Sequence, residues 1–158
     1  MPIGANPTEE HRGGYLGGMA DSDIQAVQRI YTALTRWDID DMVADVTHDI
    51  EMTLPDPLPW GGTHHGPEGV RSFARIFRDH VEGPWADPDD FLEAGDRIVV
   101  LGRLRGRARE GGQEFEVGFV HVWTLTDGIA SRAQIYYDSA PILAALDGRP
   151  PPEPPPRI

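Results

Sequence analysis

The chain has 158 residues, no cysteine, and 26 acidic against 14 basic side chains, for a formal net charge of −12. This length suits one domain with a sizeable core, and the acidic balance argues against nucleic acid or an anionic membrane as a partner, because both need clustered Lys and Arg. The missing cysteines exclude disulfides, thiolate nucleophiles and cysteine metal sites, and they suit a reducing cytoplasm.

Residues 1–20 are Gly-rich, with Pro2 and Pro7, and read as an extension that lacks the basic and apolar segments of a secretory signal. The domain proper is expected over residues 21–147. Ser22 or Asp23 is placed to N-cap a first helix running to about Trp37, with Ile24, Val27, Ile30, Tyr31 and Leu34 at helical spacing. Asp38 is placed to cap a short second helix carrying Ile39, Met42, Val43 and Val46. Residues 48–54 alternate as a strand, and Pro55–Gly62 is a loop by composition. A third helix starts at Pro67, a favoured first-turn residue, and reaches about Val81. A strand begins at Phe91, and residues 97–108, 113–126 and 129–138 read as three long antiparallel strands. A short helix over 139–147 follows, and residues 148–158 form a Pro-rich tail of polyproline II character. No apolar run approaches the roughly 20 residues that cross a bilayer. Helices first and strands after predict an α+β fold, its helices packed on one face of a curved antiparallel sheet whose open end forms a pocket.

The chemistry concentrates in the last two strands, Val117–Ala140. Asp127-Gly128 between them is a strong two-residue hairpin signal. A regular ladder from that turn pairs Thr126 with Ile129, Trp123 with Arg132, His121 with Gln134, Phe119 with Tyr136 and Val117 with Asp138. The two-residue period of a strand puts the eight residues of the last four pairs, Trp123–Arg132 to Val117–Asp138, on one face. The expected pocket wall therefore mixes aromatics with His121, Arg132, Gln134, Tyr136 and Asp138. The other face carries Val120, Val122, Ala133, Ile135 and Tyr137. Both faces then hold apolar groups, and a second copy of the chain is expected to cover the outer one, giving a homodimer.

Four segments carry a family resemblance: Tyr31 to Trp37-Asp38, LPDPLPWGGTHHGPEGVRSF from Leu54, FLEAGDRIVVLGRLRGRA from Phe91, and FVHVWTLTDGIASRAQIYYDSAPILAAL from Phe119. Over about residues 22–147 the chain resembles the SnoaL-like polyketide cyclases and ketosteroid-isomerase-related proteins of the nuclear-transport-factor-2-like superfamily. The resemblance implies a conical α+β barrel around an apolar cavity, a dimer, and neither metal nor organic cofactor. It also implies an acid/base aspartate near the end of the last strand, where Asp138 stands, and a helix tyrosine, where Tyr31 stands. The same fold serves isomerases, cyclases, epoxide hydrolases, dehydratases and non-catalytic binders, so it does not by itself fix a reaction.

The candidate site follows from these readings. His121 and Asp138 are the expected proton-transfer groups, and Tyr31 and Tyr136 the expected hydroxyl donors to an enolate oxygen. A satisfied core histidine is the alternative for His121, and an N-cap on the following helix is the alternative for Asp138. Trp37, Trp60, Phe119 and Trp123 are expected to shape the cavity, with Trp60 as a lid because it sits in a Pro/Gly loop. His65, Arg132 and Gln134 are expected polar contacts. Adjacent His64 and His65 would point to opposite strand faces and match no common zinc spacing, so no metal is expected. Arg103, Arg105, Arg107 and Arg109 alternate as a solvated stripe. The expected activity is proton transfer on a small, apolar carbonyl compound, giving isomerisation or cyclisation. Non-catalytic ligand binding and epoxide hydrolysis or opening are the alternatives.

Overall fold

The computed structural model describes residues 17–83 and 86–153. The expectations for residues 1–16 and for the last five residues of the tail lie outside this range.

Helix α1 spans Gly17–Thr35 and buries Ala26, Val27, Ile30, Tyr31 and Ala33. It starts a turn earlier than expected, so Ser22 and Asp23 lie within it and do not cap it. Once later turns are packed, adding residues upstream is easier than nucleating a helix, even across two glycines. The helix ends where Trp37 takes a left-handed backbone, φ 54°, and the Asp38 N–H reaches back to the Ala33 carbonyl at 2.9 Å. Asp38 then caps α2 (Ile39–Val43), its carboxylate accepting from the Asp41 N–H at 3.0 Å, as its position in the sequence predicts.

Next come β1 (Val46–Leu54), β2 (Gly62–His65) and α3 (Gly66–His80), with Pro67 in its first turn. Strands β3 (Val81–Glu82), β4 (Ala86–Ala94), β5 (Arg97–Ala108), β6 (Glu114–Thr126) and β7 (Ile129–Tyr137) follow, and α4 (Ser139–Leu146) ends the described fold. The sheet order is β2-β1-β7-β6-β5, with β3 and β4 both paired to β5. The pairs are antiparallel except β1 with β7, which runs parallel, so the sheet is mixed at that one seam.

The core lies between the helices and the inner face of this sheet. On β6, Phe115, Val117, Phe119, His121, Trp123 and Leu125 point inward by strict alternation. No helix among the described residues is long and apolar enough to cross a membrane.

The final hairpin departs from the expected register. Asp127 and Gly128 both have positive φ, 52° and 78°, as a twist-matched two-residue turn requires. Thr126 faces Ile129 and Leu125 faces Ala130 as expected, but Thr124 faces Arg132, leaving Ser131 as an extra residue. This is a β-bulge. The Ser131 hydroxyl donates to the Thr124 carbonyl at 3.2 Å, partnering a group at the break in the ladder. Every later β7 residue changes face. His121 is opposite Ile135, Trp123 opposite Ala133, and Phe119 opposite Tyr137. Ala133, Ile135 and Tyr137 therefore face the core, while Arg132, Gln134 and Tyr136 face outward.

Candidate functional site

The inner face and the helices enclose an apolar cavity of about 60 Å³. Aliphatic, Met and Phe side chains line most of it, with polar atoms supplied only by Tyr31, Trp37, His121, Trp123 and Tyr137. No Asp, Glu, Lys or Arg is among the described lining residues.

One hydrogen-bonded chain is built into its wall. The Trp123 indole N–H donates to the Tyr31 hydroxyl at 2.9 Å, and that hydroxyl lies 2.5 Å from His121 Nδ1. The proton positions follow from the network. An indole N–H can only donate, so the Tyr31 oxygen accepts from it. The Tyr31 proton then has one acceptor among the described residues, His121 Nδ1. The imidazole proton is thereby assigned to Nε2. The two ring planes lie within 12° of parallel. Nε2 has no partner among the described residues, and His121 is one of the residues that line the cavity.

Burial sets the charge state. His121 is 8% exposed, and desolvation pulls its pKa from 6.5 to about 3, so it is neutral across the physiological range. Burial pushes the Tyr31 phenol well above its usual value, opposed in part by the Trp123 hydrogen bond. The His121 ring is clamped by packing: Phe119 stacks on it with centroids 3.8 Å apart, and Tyr31 meets Phe91 edge-on. Gly102 lies opposite Phe119 across the β5–β6 ladder, and a Cβ there would come within 2.6 Å of the Phe119 ring and 2.3 Å of the Asp87 carbonyl oxygen. Only glycine lets the ring lie flat beneath the imidazole.

A second Trp–Tyr pair stands nearby. The Trp60 indole N–H donates to the Tyr137 hydroxyl at 2.7 Å, and burial raises the Tyr137 pKa. Trp60 is 0% exposed and packs edge-on against Phe77, so it is a core residue and not the expected lid; its indole buries more apolar surface inside than it could cover from a loop tip.

Of the sequence-predicted residues, the structure brings together Tyr31, Trp37, His121 and Trp123 at the cavity, with Phe119 directly behind His121. It separates the rest. The bulge turns Tyr136 outward, where it is 53% exposed, and gives Arg132 to Glu51 at 3.2 Å on the outer face. Gln134 donates to the Tyr136 hydroxyl on that same face. Asp138 is exposed and caps α4, accepting from the Ala140 N–H at 3.1 Å, because the helix N-terminus offers unpaired N–H groups and positive potential. His65 is exposed on β2, and His64 donates Nε2–H to the Trp60 carbonyl, so neither lines the cavity. No cluster of three His, Asp or Glu side chains suited to a metal occurs among the described residues. Of the Arg stripe, Arg103, Arg105 and Arg107 pair with Glu116, Asp87 and Glu114.

Two residues at or behind the cavity wall are not legible in the sequence. Tyr137 was assigned outward by the regular register, and Gly102 looked like any glycine in a strand. A small polar residue three places past the Asp127-Gly128 turn, Ser131, is the one available hint of the bulge.

A SnoaL-like domain is matched over residues 27–133. The chain belongs to the SnoaL-like domain family. The crystal structure of a nuclear-transport-factor-2-like protein of unknown function from Burkholderia pseudomallei is 34% identical, with 79% of this chain and 97% of that one aligned and a TM-score of 0.74. The crystal structure of TerC with polyporic acid is 27% identical, over 80% of this chain and 98% of that one, with a TM-score of 0.74. A Xanthomonas campestris protein given a provisional polyketide cyclase name shares the fold at 22% identity and a TM-score of 0.67, over 80% of this chain and 97% of that one. No curated protein matches the chain. The expected cone, with helices first and a curled sheet after, is the fold these proteins share.

Proposed function

We propose that this SnoaL-like protein is a cofactor-independent enzyme acting on a small, largely apolar carbonyl compound, by isomerisation or ring closure through an enol or enolate. The observation that carries this reading is a neutral, cavity-lining His121 whose Nδ1 is occupied by Tyr31 and whose Nε2 has no partner among the described residues. A neutral imidazole donor in a dry site steadies charge that develops on a carbonyl oxygen, and one such donor typically contributes a few kcal/mol to the transition state. The described lining holds no carboxylate to act as a strong base. The substrate is then one whose C–H is acidified from both sides, as in a 1,3-dicarbonyl or a β,γ-unsaturated ketone. Such a carbon gives its proton to solvent water at the cavity mouth, which returns one at the γ carbon of the dienol or to the ring-closed product, and the cavity contributes the stabilised oxygen.

The test uses cyclohex-3-enone, whose conversion to the conjugated isomer is followed by ultraviolet absorbance. Wild-type protein is expected to accelerate it, and His121→Phe to lose at least about 10-fold of that rate, the equivalent of one lost donor. Absence of acceleration by the wild type would sink the enzymatic reading. The same lining favours a second reading, non-catalytic binding of an apolar carbonyl compound, because no group in it titrates near neutrality as an acid/base catalyst should. Binding without turnover would establish that alternative.

The partner reading is a homodimer through the outer face of the sheet. Leu92 with Val99, Leu101 with Val120, and Val122 lie side by side there across β4, β5 and β6, with exposed Tyr136 beside Val120. An apolar strip of this kind, rimmed by ion pairs, suits a self-complementary interface.

A further inference from the structure

We propose that Tyr137 is the second hydrogen-bond donor of the cavity, and that its hydroxyl and His121 Nε2–H together receive the oxygen of a neutral carbonyl ligand. This deepens the reading above and rests on it for the ligand class.

The argument is one of donor direction. Trp60 Nε1 carries a proton and no lone pair, so it donates to the Tyr137 oxygen at 2.7 Å. That contact fixes the phenol and uses one lone pair. The hydroxyl proton has no acceptor among the described residues. The pair repeats Trp123 and Tyr31, with one difference. The Tyr31 proton ends on His121 Nδ1, whereas the Tyr137 proton is left for something that enters the cavity, which Tyr137 lines.

The register places the two residues on one face. His121 faces Ile135 and Phe119 faces Tyr137, so His121 and Tyr137 are diagonal neighbours on the inner face. Diagonal Cα atoms lie roughly 7–8 Å apart, within reach of one ligand oxygen or of two oxygens on one ring. The ligand must be neutral. With no charged group in the described lining, an ion would be desolvated without compensation, and both open groups are donors, which select an acceptor oxygen. The cavity of about 60 Å³ is smaller than the roughly 150 Å³ apolar cavity that holds benzene. A ring-sized ligand therefore enters by displacing lining side chains, and the flexible Met42 and Met52 thioethers are suited to give way.

The experiment compares cyclohexanone with methylenecyclohexane, which replaces the oxygen by an isosteric CH₂, in nuclear magnetic resonance titrations. Tyr137→Phe is expected to weaken cyclohexanone about 3- to 10-fold, the range of one hydrogen bond, and to leave methylenecyclohexane within about twofold. The carbonyl ¹³C resonance of bound cyclohexanone should move part of the way back toward its value in an apolar solvent. If the unpartnered Trp60 N–H destabilises this variant, Tyr137→Phe with Trp60→Phe removes both halves of the pair and gives the same comparison. Equal weakening of both ligands, no weakening of the ketone, or no binding of either to the wild type overturns the proposal. Turnover of cyclohex-3-enone separates it from the reading it rests on. Turnover unaffected by Tyr137→Phe, with ketone binding also unaffected, removes Tyr137 and keeps the enzyme. Ketone-selective, Tyr137-dependent binding without turnover keeps Tyr137 and removes the catalysis.

Discussion

The Tyr31 hydroxyl and His121 Nδ1, from residues 90 positions apart in the chain, lie 2.5 Å apart between nearly parallel rings. Helix α1 supplies one ring and strand β6 the other, so packing helix on sheet is what fixes the imidazole tautomer. Trp123, two residues along β6 from His121, closes the chain by donating to the same hydroxyl. Three side chains thus determine which nitrogen the cavity meets.

Tyr31→Phe should release that constraint. With no hydroxyl beside Nδ1, the imidazole loses its reason to hold the proton on Nε2, and ¹⁵N shifts of His121 should report a mixture of tautomers in place of one. The Trp123 N–H and His121 Nδ1 lose their partner together, so unfolding stability should fall by about 1–3 kcal/mol in urea titration. A single unchanged tautomer in the variant would refute the assignment.

The bulge makes a prediction that runs against intuition about deletions. In the observed register Ala130 points in, Ser131 is extra, and Arg132 points out. Removing Ser131 leaves a regular ladder with Ala133, Ile135 and Tyr137 still inward. Deletion should therefore preserve the fold and the near-ultraviolet circular dichroism of the buried aromatics, at a cost of about 1–2 kcal/mol for the lost Ser131 hydrogen bonds. In a regular hairpin the same deletion would turn every later β7 side chain over and abolish the folded signal.

These two residues also show where the sequence was legible. The helical spacing of Ile30, Tyr31 and Leu34, the Asp38 cap, and the alternation along β6 follow from local periodicity, and they deliver Tyr31, His121 and Trp123 to one cavity. The β7 half of the site was not legible, because its faces depend on one unpaired residue at the turn. A two-residue period converts a single insertion into a complete exchange of faces, so Tyr136 and Tyr137 trade roles. Asp138 carried both a catalytic and a capping reading, and the backbone N–H of Ala140 takes it. Gly102 could not be read at all, since its role depends on a ring in the neighbouring strand.

Val120 lies near the middle of the apolar strip on the outer face, beside Leu101 and Tyr136. If a second copy covers this strip, Val120→Asp places two carboxylates in a buried interface and should shift the protein from dimer to monomer at micromolar concentration. Light scattering during gel filtration measures this directly. The side chain is exposed in the single chain, so monomer stability should change by no more than about 0.5 kcal/mol. A monomeric wild type, or a dimer that survives the substitution, would remove this face as the interface.

The neutral His121 gives the fold an acid sensitivity with a definite sign. Its pKa is about 3 when folded against 6.5 as the unperturbed value, because burial disfavours the imidazolium. Between those values the unfolded chain binds the proton and the folded chain does not, so stability falls as the pH falls. The contribution is fully present above the unfolded value and declines by about 1.4 kcal/mol per pH unit below it. From about pH 7.5 to about pH 5 the wild type should lose about 2 kcal/mol that His121→Phe does not lose. Urea unfolding of both proteins at the two pH values isolates the term, since every other titrating group is common to them. Parallel losses in the two proteins would show that His121 is not held neutral by the fold, and the donor role assigned to its Nε2–H would fall with it.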